Sequence, residues 1–150
     1  MTKISEASIK ERVKNLAKHH SVSVNEMLKK LFLERFLVRF AQSEYRNKMI
    51  FKGGNLLNYY IKIGRQTTDL DFLLTKIKGE EESIKKSFQV IAEIQVDDGF
   101  ELSFVRIERL SQPHMHYPGF RVILHVRFIN GKLKDNIQID VGIGDQVEQK

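Results

Sequence analysis

The stretch FKGGNLLNYYIKIGRQTTDLDFLL, Phe51 to Leu74, sets a glycine pair after one apolar segment and two aspartates at the head of another. Met49-Ile50-Phe51 reads as a short strand ending at Gly53-Gly54. Asn55 to about Ile63 then reads as a helix closed by Gly64, and Asp69 to Leu74 as the next strand. A strand, a glycine pair and a helix in that order let backbone approach a bulky anion closely. The following helix would aim free N–H groups at the same point, which suits a triphosphate. A plain tight turn is the other reading of the two glycines.

Residues two apart in a strand face the same way. Asp69 and Asp71 therefore share one side of their strand, and Leu70 and Phe72 take the other. Two carboxylates so placed repel unless a cation lies between them. Hard oxygen ligands on a rigid strand suit Mg²⁺ or Mn²⁺, which draws its remaining ligands from water and phosphate. An exposed edge strand with two solubilising aspartates is the alternative, and the apolar run Phe72-Leu73-Leu74 argues against it. A third carboxylate stands in Ile137-Gln138-Ile139-Asp140-Val141, where Gln138 and Asp140 interrupt an apolar strand. A charge there requires a partner. If this strand lies beside the first, Asp69, Asp71 and Asp140 converge and can hold two metal ions.

Outward from this stretch, Ile9, Val13, Leu16 and Ala17 mark one helix face. Ser23-Val24-Asn25-Glu26 is a capping box that starts a second helix. Val24, Met27, Leu28, Leu31, Phe32, Phe36 and Phe40 form the core stripe of that helix, and Lys29, Lys30, Glu34, Arg35 and Arg39 its polar side. Glu80-Glu81-Glu82 opens another helix bearing Ile84, Phe88, Ile91 and Ile94, followed by a turn at Asp97-Asp98-Gly99. Phe100 to Ile107 and Arg121 to Ile129 read as strands flanking a loop at Pro113 to Pro118. Asn130-Gly131 then turns the chain into the Asp140 strand. The expected fold is a single α/β (α+β) domain over 1–150. N-terminal helices fill 1–46, and a mixed sheet of about five strands with flanking helices fills 47–150.

The chain has no cysteine, no apolar leader at its start and no run of 18 apolar residues, so a cytoplasmic setting is expected. Of the net charge of +6, all six units fall in residues 1–50, where eleven Lys/Arg face five Asp/Glu. Such an excess fits a polyanion such as RNA, or simply the solvated faces of two helices. His114-Met115-His116 has no third ligand nearby in sequence, so a metal site there is disfavoured. His19-His20 suits a helix C-terminus, and His125 the polar face of a strand.

Taken together, Lys52-Gly53-Gly54, Arg65-Gln66-Thr67-Thr68-Asp69-Leu70-Asp71 and Ile139-Asp140-Val141-Gly142-Ile143-Gly144-Asp145 resemble the AbiEii family. These are nucleotidyltransferase toxins of type IV toxin–antitoxin systems, within the DNA polymerase β-like superfamily. The resemblance runs from about Ser21 to Asp145 and includes Glu34-Arg35-Phe36-Leu37-Val38-Arg39. It implies a nucleotidyltransferase-like fold and a metal-dependent transfer of a nucleoside monophosphate from an NTP to a hydroxyl, with the 3′ end of tRNA as one acceptor. It also implies a cognate antitoxin as a partner. Asp69, Asp71 and Asp140 would be the metal-binding catalytic carboxylates, with Mg²⁺ or Mn²⁺. Lys52, Gly53, Gly54, Arg65 and Thr67 would bind the nucleotide. The family's second motif reads Lys-x-Asp followed by an acidic residue; here Gln138 takes the lysine position and Asp145 the acidic one. The family pattern continues into a helical C-terminal half, so 150 residues are expected to be the N-terminal portion, with weak or absent turnover alone. Two other readings stand beside this one: a glycosyltransferase whose Asp-x-Asp holds a sugar nucleotide, and a non-catalytic remnant that binds RNA or antitoxin. The glycine pair and Arg65-x-Thr67 favour the nucleotidyltransferase.

Overall fold

The computed structural model describes residues 4–51, 69–110 and 119–143, with Asp69 described by its backbone alone. Three α-helices and a five-stranded mixed sheet lie within them: α1 (Glu6–His19), α2 (Val24–Ala41), β1 (Met49–Phe51), β2 (Asp69–Leu74), α3 (Glu81–Ala92), β3 (Phe100–Leu110), β4 (Gly119–Phe128) and β5 (Lys134–Ile143). A 3-10 turn over Glu44–Asn47 joins α2 to β1. The sheet order is β1-β2-β5-β4-β3. Only the β2–β5 pair is parallel; the other three are antiparallel. The fold is the expected α/β class. The helix expected over Asn55 to Ile63 and the loop at Pro113 to Pro118 lie outside the described residues.

Local chemistry sets the helix ends. Ser5 Oγ accepts from Ser8 N–H at 3.1 Å and Ser23 Oγ from Glu26 N–H at 3.0 Å, each satisfying an otherwise orphaned donor of a first turn. After α1 the chain reverses through Ser21 at φ 58°. Val22 N–H then bonds Ala17 C=O at 2.9 Å and Ser21 N–H bonds Lys18 C=O at 3.3 Å, the pair of bonds that closes a Schellman turn. Val22 packs with Val13, Ala17 and Met27 and so seats α1 against α2. α3 ends at Ala92, capped by Glu93, so Ile94 falls just beyond the helix.

The core lies between α2, α3 and one face of the sheet, and aromatic rings fill it. Phe36 stacks on Phe88 with centroids 5.9 Å apart and meets the Phe72 ring edge-on at 6.0 Å. Phe40 and Phe51 also touch Phe72, at 4.9 and 5.4 Å. Leu70, Phe72 and Leu74 of β2 and Ile137, Ile139 and Val141 of β5 are all at most 3 % exposed. The alternate residues of both strands therefore face away from α2 and α3.

α2 departs from the sequence reading on its polar side. Lys30, Glu34 and Arg39 are 3, 5 and 1 % exposed rather than solvated. The reason is tertiary: α1, α3 and β5 all pack on α2, and the turn before β3 folds over its flank. Arg39 donates from Nη1 and Nη2 to Asp98 Oδ2 and Oδ1 at 3.0 and 3.1 Å, and from Nη2 to Phe100 C=O at 2.9 Å. Arg35 donates to the same Asp98 Oδ2 at 3.0 Å and forks onto Glu34. Phe100 N–H completes the shell of Asp98 at 2.9 Å. Gly99, at φ 84°, lets the chain turn here, and a Cβ on it would stand 2.5 Å from the Phe128 ring.

Burial alone would push the Asp98 carboxyl up, but hydrogen bonds from Arg39, Phe100 N–H and Arg35 outweigh it and hold its pKa below the usual carboxylate value. Its folded-state pKa is thus lower than its unfolded one. The stability it contributes is present above about pH 4 and is lost as pH falls through the folded pKa. Denaturant titrations from pH 7 down to pH 2.5 are expected to show a fall in unfolding free energy at the acid end. In Asp98→Asn that fall is shallower and the neutral-pH plateau is lower by roughly 2–4 kcal/mol, because Arg39 keeps its burial without a counter-charge.

Candidate active site

Two strands position the site. β2 and β5 run parallel in register, pairing Leu70 with Ile139, Asp71 with Asp140, and Phe72 with Val141. In-register residues of adjacent strands project to the same side. Asp71 and Asp140 therefore stand next to each other on the face turned away from α2 and α3, with their strands about 4.8 Å apart. Asp71 is exposed and Asp140 half-buried. Asp69, at the head of β2, pairs through its backbone with Gln138. The juxtaposition expected for Asp71 and Asp140 is thus realised.

Lys52, Gly53, Gly54, Arg65, Thr67 and Asp145 lie outside the described residues, as do His114 and His116. The chain does leave β1 next to this point. Phe51, the residue before Lys52, pairs with Phe72, one position from Asp71. Among the described residues no group of three or more acidic, histidine or cysteine side chains forms a metal cluster. Asp71 and Asp140 still offer side-by-side hard oxygens, the donor type that suits Mg²⁺ or Mn²⁺.

The structure adds a residue that the sequence reading passed over. Arg121 of β4 is the register partner of Asp140. Its Nε donates to Asp140 Oδ1 at 2.9 Å and its Nη2 to Oδ2 at 3.3 Å. A guanidinium matches both oxygens of one carboxylate in this way. Both side chains keep partial solvent contact, Arg121 at 33 % and Asp140 at 24 %. The signal was present in the hairpin: counting nine residues back from Asn130 and nine forward from Gly131 brings 121 opposite 140. Along the same hairpin His125 Nδ1 lies 2.8 Å from Asn136 Oδ1, consistent with its place on the polar face.

The face therefore carries adjacent carboxylates from two parallel strands and a guanidinium from a third, and β1 ends one strand away. Such an arrangement defines an acidic site on an open mixed sheet, suited to holding a cation beside an anionic ligand. The chain belongs to the family described as "Nucleotidyl transferase AbiEii toxin, Type IV TA system", whose model matches residues 35–150. The match takes in all five strands and starts inside α2, so α1 and the first turns of α2 lie outside it. No curated protein matches the sequence. No described helix is long and apolar enough to cross a membrane.

A double-mutant cycle of Arg121→Ala and Asp140→Ala is expected to give a coupling of about 1 kcal/mol in unfolding free energy, at the upper end for partly exposed pairs. Chemical denaturation of the four proteins at low and at high salt measures it, and the coupling is expected to shrink at high salt.

Proposed function

We propose that this protein is a metal-dependent nucleotidyltransferase that moves a nucleoside monophosphate from an NTP to a hydroxyl acceptor, acting as the toxin of a type IV toxin–antitoxin pair. The observation that carries the reading is the in-register pairing of Asp71 with Asp140 on the sheet face away from α2 and α3, one strand from the exit toward Gly53-Gly54. Asp71 and Asp140, with Asp69, hold Mg²⁺ or Mn²⁺. Lys52, Gly53, Gly54, Arg65 and Thr67 bind and orient the triphosphate. A bound divalent ion supplies charge neutralisation and lowers the pKa of the attacking hydroxyl. The hydroxyl oxygen bonds to the α-phosphorus, the bond to the β-phosphate bridge breaks, and pyrophosphate leaves. The hydroxyl proton passes to a carboxylate oxygen of the acidic site. An RNA acceptor, with the 3′ end of tRNA as the first candidate, is consistent with the basic residues 1–50. Family membership favours this reading over a sugar-nucleotide enzyme or a non-catalytic remnant.

Calorimetric titration with each of the four NTPs, with and without Mg²⁺, tests the site. At least one NTP is expected to bind only with Mg²⁺, and Asp69→Ala with Asp71→Ala is expected to abolish that binding while the protein stays folded. Mg²⁺-dependent NTP binding that survives the double substitution would sink the assignment. Salt-sensitive RNA binding without any NTP binding would support the remnant instead.

A further inference from the structure

Asp71 and Asp140 occupy the same register level on neighbouring strands, and Asp140 does not stand alone. Both of its oxygens accept from Arg121, at 2.9 and 3.3 Å. The guanidinium brings positive charge to one of the two carboxylates proposed to hold the catalytic ion. It also takes up lone pairs on the carboxylate that such an ion would use. A cation bound to one of two close carboxylates lowers their mutual repulsion whether it is a metal or a side chain. An arginine charge cannot be lost by deprotonation in a protein, so it can leave this position only by moving.

We infer that Arg121 is the resident counter-cation of the acidic site, holding Asp140 in place of the metal and passing to the triphosphate once metal and nucleotide arrive. The inference rests on the nucleotidyltransferase reading above. Three features of the pair suit the exchange. Arg121 sits on β4 and Asp140 on β5, so the guanidinium can swing on its flexible stem while both backbones stay in the ladder. The pair is one-quarter to one-third exposed, so separating it does not strand a charge in the core. A planar fork that matches a carboxylate matches a phosphate equally well. The Arg39–Asp98 pair makes the contrast. Arg39 is 1 % exposed, so opening that pair would strand a charge in the core.

The exchange demands opposite signs for two affinities. Removing the guanidinium removes a competitor for the metal and, at the same time, a ligand for the triphosphate. The test uses Mn²⁺ alone, followed through the paramagnetic resonance of the free ion, on the wild-type chain, Arg121→Gln, Arg121→Lys and Asp140→Asn. Arg121→Gln is expected to bind Mn²⁺ roughly three- to tenfold more tightly than wild type, since a competing charge has gone. Arg121→Lys, which keeps the charge but loses the fork, is expected to fall between them. Asp140→Asn is expected to bind more weakly than wild type. Inorganic tripolyphosphate, titrated by calorimetry at saturating Mn²⁺, is then expected to bind Arg121→Gln about tenfold more weakly, the loss of a charge-assisted hydrogen-bond pair. Thermal unfolding of each variant confirms that the comparison is between folded proteins. If Arg121→Gln fails to fold, the wild-type to Arg121→Lys comparison carries the same signs.

Unchanged or weaker Mn²⁺ binding in the Arg121 variants overturns the inference, because the arginine then positions Asp140 or stands by. Unaltered tripolyphosphate binding overturns it equally. Either result leaves the nucleotidyltransferase reading intact if Asp140→Asn still weakens Mn²⁺. Absence of Mn²⁺ binding in every variant overturns that reading, and the inference with it.

Discussion

The acidic face depends on how β2 is held. Phe72 is wedged among Phe36, Phe40 and Phe51, and Leu70 and Leu74 are buried on either side of it. Strand geometry then gives the residues between them no choice of side. A slip of one position would turn Asp71 into the core and Phe72 out of it, and burying the unpaired carboxylate alone would cost several kcal/mol. The same logic holds in β5, where Ile137, Ile139 and Val141 are buried. Two strands pinned independently by the same core, and paired in parallel register, have to bring their polar positions together on the far face.

Register in β5 has a second source of support at the other end of the strand. The β4–β5 hairpin turns through Asn130 at φ 64°. Glu6, in the first turn of α1, accepts from Lys132 N–H and Leu133 N–H, both at 2.6 Å. Those backbone bonds lower the Glu6 pKa. Lys29 of α2 donates to Asn136 C=O at 2.8 Å and pairs with Asp135 at 3.0 Å. Helices that lie mostly outside the family match thus grip the turn that sets which residue of β4 faces Asp140. The basic N-terminal third is, in part, structural: Lys29, Arg35 and Arg39 are committed to contacts within the domain.

Two arginine–aspartate pairs show how environment divides similar chemistry into different roles. Arg39–Asp98 is enclosed, held by several hydrogen bonds and placed where α2 meets the start of β3. It fixes the helix to the sheet. Arg121–Asp140 is half-open, lies on the face away from α2 and α3, and has a second carboxylate beside it. The first pair loses too much by opening to do anything else. The second is placed to exchange partners.

Much of this was readable in one dimension. Period-two alternation around Phe72 and Ile139, helical spacing along α2, serine caps and the Asn130-Gly131 turn are local signals, since each reflects one strand, one helix or one turn. They determine the element types, the α/β class and the pairing of parity in Asp69-Leu70-Asp71; the motifs built on them also carry the family resemblance. The parallel pairing of β2 with β5 was not local, because about sixty residues separate the two strands and only packing brings them together. The burial of Lys30, Glu34 and Arg39 likewise escaped the helical pattern, since a helix covered on several sides has no solvated face for its charges to take. Sequence by itself determined which side of each strand was polar. Only the tertiary structure decided which polar residues became neighbours, because contact between distant strands is set by the shared core and not by the chain near either one.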